Sequence, residues 1–346
     1  MEICTLFPWR KEMKIFTPEY YRDFQCVASA CPDSCCYGWA VDIDDETAQR
    51  YLAMPGALGD KLRRHLKQEE WGWVLSLEGS GRCPMWRCDG LCRIHAEMGE
   101  DALSRVCKAF PRLCHDYGGF QEFGLELSCP EAAKLILACG SSALREEYAP
   151  GEEAPDYDEE AMATLLRTRH ALMAFIDSKT LPIRETLAVT LLYGYAVQEE
   201  LDGGEEAVLD AQSCLSAAGR CAEKGDINAL LEFFKSLEIL SPAWAERLNG
   251  SISREMPEAL RPALRYFLGR YYLQAVSDYD IVCRVKLAVI SCLVIGSLGG
   301  DLLQTAQQYS KEIENDPENV EALLDGAYTA PGLTDRNLIG LLLNKM

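Results

Sequence analysis

Two periods of apolar residues divide the chain. From residue 158 onward they recur about every 3.6 positions. The segments 158–178, 183–201, 205–223, 226–238, 257–276, 280–298, 301–314 and 318–328 each read as a helix with a buried stripe. Upstream the period shortens to two in three places: Trp39, Val41 and Ile43; Trp73, Leu75 and Leu77; and Phe123, Leu125 and Leu127. Alternation of that kind marks half-buried strands. Between them, Thr17-Pro18 is a helix-entry signal for 17–24, and Asp44 can cap DETAQRYLAM, which Pro55-Gly56 ends. Residues 57–70 read as a second helix, and 96–110 as a third that stops at Phe110-Pro111. Ser128-Cys129-Pro130-Glu131 fits a capping box. That would make Cys129 the first helical residue, where free amides and the helix dipole favour a thiolate.

The expected fold is mostly α: a cysteine-rich α+β N-terminal domain with a few short strands, followed by an all-α helical domain. APGEEAPDYDEE, at 149–160, holds two prolines, a glycine and six acidic residues. It reads as an acidic linker between a domain at 14–148 and a helical domain at 161–346. A 346-residue chain with 48% hydrophobic content can build ordinary cores in both. Its longest apolar run, 287–298, is about half the ~20 residues of a membrane span and reads as a buried core helix.

Charge and leader composition narrow the function. The net charge is −20, with 17 Lys+Arg against 31 Asp+Glu after residue 150, and no basic face suited to nucleic acid is visible. The first residues contain no secretory h-region, so a cytoplasmic setting with reduced thiols is expected.

In that setting the cysteines carry the chemistry. Ten of the 16 lie between Cys26 and Cys129, beginning Cys26-x4-Cys31-x3-Cys35-Cys36 and continuing through Cys83, Cys88, Cys92, Cys107 and Cys114. The Cys-x2-Cys knuckle of structural zinc is absent. Irregular spacing across distant segments favours an iron–sulfur cluster, with zinc the alternative. Cys88, Cys114 and Cys139 read as buried small hydrophobes, as do Cys214, Cys221, Cys283 and Cys292 in the helical half. His95 follows Cys92 by three residues and reads as a partly exposed helix position. Asp42 and Asp44 form a carboxylate pair able to engage an amine, or the solvated face of an edge strand.

The ordered blocks C-x4-C-x3-CC-x2-W-x-V-x-I-D (Cys26–Asp44), G-x-C-P (Gly81–Pro84), G-L-C-R-I (Gly90–Ile94), G-E-x-x-L-S (Gly99–Ser104), C-x-x-F-P-R (Cys107–Arg112) and L-S-C-P-E-A-A (Leu127–Ala133) resemble the flagellin lysine-N-methylase family. The front half is also similar to the zinc- or iron-chelating CxxxCC modules. The matching region runs from about Lys14 to Leu137, which leaves residues 1–13 as an N-terminal extension.

The resemblance implies methyl transfer from S-adenosylmethionine to lysine amines of flagellin, with an iron–sulfur cluster, most simply 4Fe-4S. It draws the metal ligands from Cys26, Cys31, Cys35, Cys36, Cys83, Cys92, Cys107 and Cys129. Cys88 and Cys114 fall outside the family pattern. On that reading Arg112 is a candidate partner for the cofactor carboxylate, and Asp42 and Asp44 are candidate acceptors for the lysine. No glycine-rich Rossmann turn marks a cofactor site. The competing expectation is a non-catalytic zinc- or iron–sulfur-binding module whose helical half binds a protein partner.

Overall fold

The structure, a computed structural model, describes residues 12–38, 40–79, 81–151 and 157–343. Trp39, residues 152–156 of the acidic segment and most of the 1–13 extension lie outside the described residues. Fifteen α-helices and seven strands are described, the strands all before residue 151.

Four strands form a mixed sheet in the order β5-β6-β1-β7: β1 (Glu12–Pro18), β5 (Arg112–Asp116), β6 (Phe120–Leu125) and β7 (Leu144–Pro150). Strand β1 pairs parallel to β6 and antiparallel to β7 along its whole length. Pairing with β7, which sets Thr17 opposite Arg145, overrides the helix-entry signal at Thr17. The chain stays extended through Pro18, and only a 3-10 turn, Glu19–Asp23, follows. A second, antiparallel sheet has the order β2-β4-β3, with β2 (Val41–Ile43), β3 (Leu66–Glu69) and β4 (Gly72–Leu75).

Helix α1 (Asp45–Leu52) starts where Asp44 accepts from the Thr47 amide, as its sequence requires. Helix α2 (Gly56–His65) is shorter than the expected 57–70. From Leu66, which is buried, the chain turns into β3 and pairs Leu66 opposite Leu75. The expected helix at 96–110 is broken at Gly99, whose φ of +84° an L-residue rarely adopts. It becomes α3 (Arg93–Met98), a 3-10 turn and α4 (Arg105–Ala109), which Ser104 caps. Helix α5 (Pro130–Ala138) has Cys129 as its N-cap and Pro130 at its first position. The capping box therefore does not form: Ser128 Oγ donates instead to Glu126, and Cys129 sits one place earlier than expected.

The remaining helices are α6 (Glu159–Ser178), α7 (Ile183–Leu201), α8 (Ala211–Cys221), α9 (Ile227–Ser236), α10 (Pro242–Leu248), α11 (Arg261–Tyr271), α12 (Ile281–Ser297), α13 (Leu302–Ile313), α14 (Pro317–Thr329) and α15 (Asp335–Leu342). All 17 residues of α12 are buried, so the longest apolar run is a core helix. Among the described residues no helix is long and apolar enough to cross a membrane. Helix α8 starts at Ala211 instead of 205 because Asp210 caps it, and the short α10 and α15 had no sequence counterpart.

The apolar side chains form two clusters. The larger extends from Phe24 and the inner face of the four-stranded sheet through α5 into the helices, where Trp244, Phe234, Phe267 and Tyr309 interlock. The smaller holds thirteen buried residues between Val41 and Ala102, among them Tyr51, Leu62 and Met85.

Candidate metal centre

The cysteine-bearing segments are laced together by their backbones. Beyond buried Phe24, the first loop turns so that the Ala28 amide donates to Cys26 Sγ at 3.4 Å. The Cys83 amide donates to the Cys36 carbonyl at 2.7 Å, and the Gly38 amide to that of Gly81 at 3.0 Å. With the Tyr37–Arg82 bridge, these bonds fasten the first loop to the second. The second loop closes on itself through the Trp86–Cys92 bridge and through the Arg93 amide, which donates to Met85 at 2.7 Å. Cys92 is then the N-cap of α3, Cys107 stands in the first turn of α4, and Cys129 is the N-cap of α5.

This brings the eight family-pattern thiols into one electrostatic network. Burial raises Cys31, and the thiols of Cys26 and Cys35 add to the rise. Cys35 is hydrogen-bonded to Cys36, which raises the Cys35 thiol and lowers that of Cys36. The Cys83 thiol, burial and Cys92 then push Cys36 well up. Burial raises Cys92, with Cys35 contributing. Cys107 keeps solvent-accessible surface, yet the protein packed round its thiol pushes it up to about 11, and Cys92 and Cys35 add to that. Burial pushes Cys129 up to about 11, and Cys31 and Cys26 raise it further.

Amides are aimed at several of these sulfurs and oppose the rise: those of His95 and Ile94 at Cys92, and of Ala132 and Glu131 at Cys129. The expectation that helix-end amides make Cys129 a thiolate is therefore corrected: burial outweighs them.

The helical half reaches into the first loop. From α13, Lys311 Nζ holds both Asp33 oxygens, at 2.9 and 2.8 Å, and the Ser34 carbonyl at 3.2 Å, and it lies 5.3 Å from the Tyr37 ring centre. One turn earlier, Gln307 Nε2 donates to Asp33 at 2.8 Å and to the Ser128 carbonyl at 2.7 Å. One helix thus ties the Cys31–Cys36 loop to the residue before Cys129. Behind Cys129 lies a buried polar cluster: Tyr266 Oη donates to Glu314 and accepts from the Leu127 amide (3.3 Å) and Arg270 (2.9 Å). Arg270 also pairs with Glu314 at 3.3 Å. Burial raises Glu126 beside this cluster, which Arg270 opposes. None of these residues was anticipated from the sequence.

The other expected residues are placed as follows. Asp44 accepts from the Thr47 and Arg105 amides at 3.1 and 3.0 Å, which joins α1 to α4. Burial would raise its carboxyl, but the two amides and Arg105 hold it below its ordinary value. Asp42 is exposed on β2, an edge strand. The Arg112 guanidinium lies 5.2 Å from the Phe24 ring centre and 5.9 Å from that of Tyr21, packing on aromatic faces. His95 is exposed on α3.

Not all the remaining thiols are the buried hydrophobes expected. Cys88, Cys114 and Cys221 are exposed, Cys139 and Cys214 half-buried, and only Cys283 and Cys292 fully buried. Cys114 is on the solvent-facing positions of β5, where strand alternation decides exposure, and Cys88 is in a turn closed by Arg87 and Asp89.

Among the described residues, no three histidine, cysteine, aspartate or glutamate side chains stand as a ready-made ion site. The donor chemistry nonetheless fits a thiophilic metal or cluster. The donors are soft thiols on segments joined by backbone hydrogen bonds, and those of Cys92 and Cys129 are met by amides of the kind that stabilise ligating sulfur.

No family model and no solved structure matches the chain. Curated relatives do. The flagellar biosynthetic protein FliU of Salmonella muenchen is 35% identical over 133 residues, 37% of this chain and 79% of that protein. The lysine-N-methylases of Salmonella choleraesuis and Salmonella typhimurium are 35% and 34% identical over 133 and 137 residues, and the matches span 33% of each. With four-fifths of the flagellar relative covered at that identity, the chain belongs to the flagellin lysine-N-methylase family.

Proposed function

We propose that this chain is a cytoplasmic protein-lysine N-methyltransferase. It takes methyl groups from S-adenosylmethionine to lysines of flagellin, and it contains an iron–sulfur cluster, most simply 4Fe-4S, held by four of the eight networked thiols. The observation that carries the reading is that the segments bearing Cys26, Cys31, Cys35, Cys36, Cys83, Cys92, Cys107 and Cys129 meet: the Cys83 amide donates to the Cys36 carbonyl, Gln307 joins Asp33 to Ser128, and Cys31, Cys35, Cys36, Cys92, Cys107 and Cys129 are each raised in part by neighbouring thiols. The relatives named lysine-N-methylase support the reaction, and the flagellar relative supports the substrate.

When bound, such a cluster supplies Lewis-acidic or redox-active iron and fixes the ligating loops in place. The ligating thiols would have to give up their protons to hold it, and their raised pKa values make that a cost that the metal–sulfur bonds would have to outweigh. In the transfer itself, a neutral lysine nitrogen forms a bond to the methyl carbon as the sulfur–methyl bond breaks. S-adenosylhomocysteine leaves, and one proton is released per methyl. The amine must first lose its proton from an ordinary pKa near ~10.4, so the reaction accelerates with rising pH until the bound amine is neutral.

The test is anaerobic purification with iron, sulfide and zinc analysis, then incubation with adenosylmethionine and flagellin and mass spectrometry for methyl-lysine. Iron with matching sulfide and methylated flagellin are expected. Zinc alone overturns the cluster, and an intact cluster without methyl-lysine overturns the enzyme. The match covers only a third of the lysine-N-methylases but four-fifths of the flagellar relative. That second result would therefore favour a zinc- or cluster-binding module that engages a protein partner through its helices.

A further inference from the structure

Away from the thiols, a cavity of about 630 Å³ lies between the inner face of the four-stranded sheet and helices α6 and α11. That is the size of a site for a nucleoside-sized ligand. Three features of its walls say what it suits.

The first is charge. Arg169, Arg265 and Arg270 all border it, and each is already matched. Arg169 makes a two-pronged pair with Glu122 at 2.8 and 2.5 Å, Arg265 holds Asp177 at 2.7 Å, and Arg270 pairs with Glu314. Among the described residues that line it, no arginine or lysine is left over for a phosphate. The site therefore suits a ligand whose own charges are few or balanced, and it disfavours nucleotides.

The second is an unspent polar atom. His115, paired across the sheet from Glu122, borders the cavity, and its buried Nε2 has no hydrogen-bond partner among the described residues. A buried nitrogen without a partner is costly unless something else satisfies it.

The third is missing bulk on both walls. Gly124 on β6 and Gly269 on α11 border the cavity, neither has a left-handed φ, and a Cβ built on either meets nothing within 4 Å. Neither backbone conformation nor steric crowding accounts for glycine at these places, and glycine weakens both helix and strand. What the pair does is keep the space open. The rest of the lining includes Phe16, Phe123 and Met173, surfaces suited to a ring system and to a sulfonium charge.

We infer that this cavity is the adenosylmethionine site, with the ligand seated between Gly124 and Gly269 and hydrogen-bonded by His115 Nε2. The inference rests on the methyltransferase reading. It adds where the methyl donor binds and which residues make room for it. Tyr266 borders the cavity and accepts from the Leu127 amide two residues before Cys129, which links the site's wall to the thiol-bearing segment.

The test is equilibrium dialysis of isotopically labelled adenosylmethionine against the metal-containing protein and its Gly269→Leu, Gly124→Val and His115→Phe variants, with circular dichroism to verify folding. Both glycine variants are expected to fold and to bind at least ten-fold more weakly, and His115→Phe to lose several-fold. Undiminished binding by folded Gly269→Leu and Gly124→Val overturns this placement and leaves the methyltransferase reading intact. If one glycine variant fails to fold, the other decides alone. If neither folds, undiminished binding by folded His115→Phe overturns the placement and weakened binding supports it. Failure of the parent protein to bind adenosylmethionine overturns both.

Discussion

The two apolar cores stand on different terms. The larger is a conventional core of interlocked aromatic and aliphatic side chains around α12, a helix buried along all its 17 residues. The smaller has thirteen buried side chains, drawn from short helices and strands of three or four residues, and Cys83 belongs to it while Cys36 and Cys92 pack against its edge. A core of that size is marginal by itself and usually depends on a disulfide, a metal or a docked neighbour. Cys129 belongs to the larger core, so a centre bridging the networked thiols would fasten the small core to the large one. Where hydrophobic burial is thin, the chain has concentrated its chemistry.

Metal removal breaks this comparison most directly. A ligand at a thousand times its Kd contributes about 4 kcal/mol of linked stability. Chelation under reducing, anaerobic conditions should remove roughly that much protection from amides between residues 41 and 109. Amides of α7 and α12 should keep theirs. Hydrogen exchange with mass spectrometry reads both at once, and equal loss across the chain would mean that the two cores are not separately held.

A smaller effect is expected where α13 grips the first loop. Lys311→Met removes a cation that makes three contacts with Asp33 and Ser34, and a hydrogen bond to a charged group is worth about 1.5–3 kcal/mol. Asp33 keeps 29% of its side-chain surface exposed, so water recovers part of that, and the lower end is expected. The loss should appear as faster exchange in residues 26–38 and weaker metal retention, with the thermal midpoint of the helical half nearly unchanged. An unaltered loop would show that the small region needs no help from α13.

What could be read from the sequence follows the same divide. Helical periods located α6, α7, α12 and α13 to within a residue or two because each buries a stripe or a whole helix. Of the mixed sheet only β6 was foreseen, through Phe123 and Leu125; β7 escaped notice because it is exposed at five of its seven positions and is held by backbone pairing with β1, which leaves no apolar alternation to see. The thiols were legible because a cysteine carries its chemistry in its identity wherever it lies. Lys311, Arg270 and Glu314 were not. A single charge on an amphipathic helix looks the same in sequence whether it faces water or a loop nearly 280 residues away. A cavity kept open by two glycines is harder still, since its signal is the absence of side chains from two distant elements.

The smallest effect separates cap from charge inside the small region. Asp44 caps α1 and also accepts from the Arg105 amide, so it links two of the short helices around that core. Asp44→Ala should cost about 1 kcal/mol at pH 7, the usual worth of an N-cap. Asp44→Asn keeps a capping oxygen and should lose only a few tenths, the part owed to charge near a helix N-terminus. The sign with pH follows from the carboxyl being held below its ordinary 3.8. Its contribution is complete above that value and disappears as pH falls through the lower folded pKa. Denaturant titrations of the parent and Asp44→Asn should therefore converge as pH falls below 3.8 and through the lower folded pKa, with Asp44→Ala still weaker. If the small core carries its own stability, the change registers in exchange at residues 41–109 and leaves α12 untouched. If instead α12 loosens to the same degree, the two cores unfold as one cooperative body.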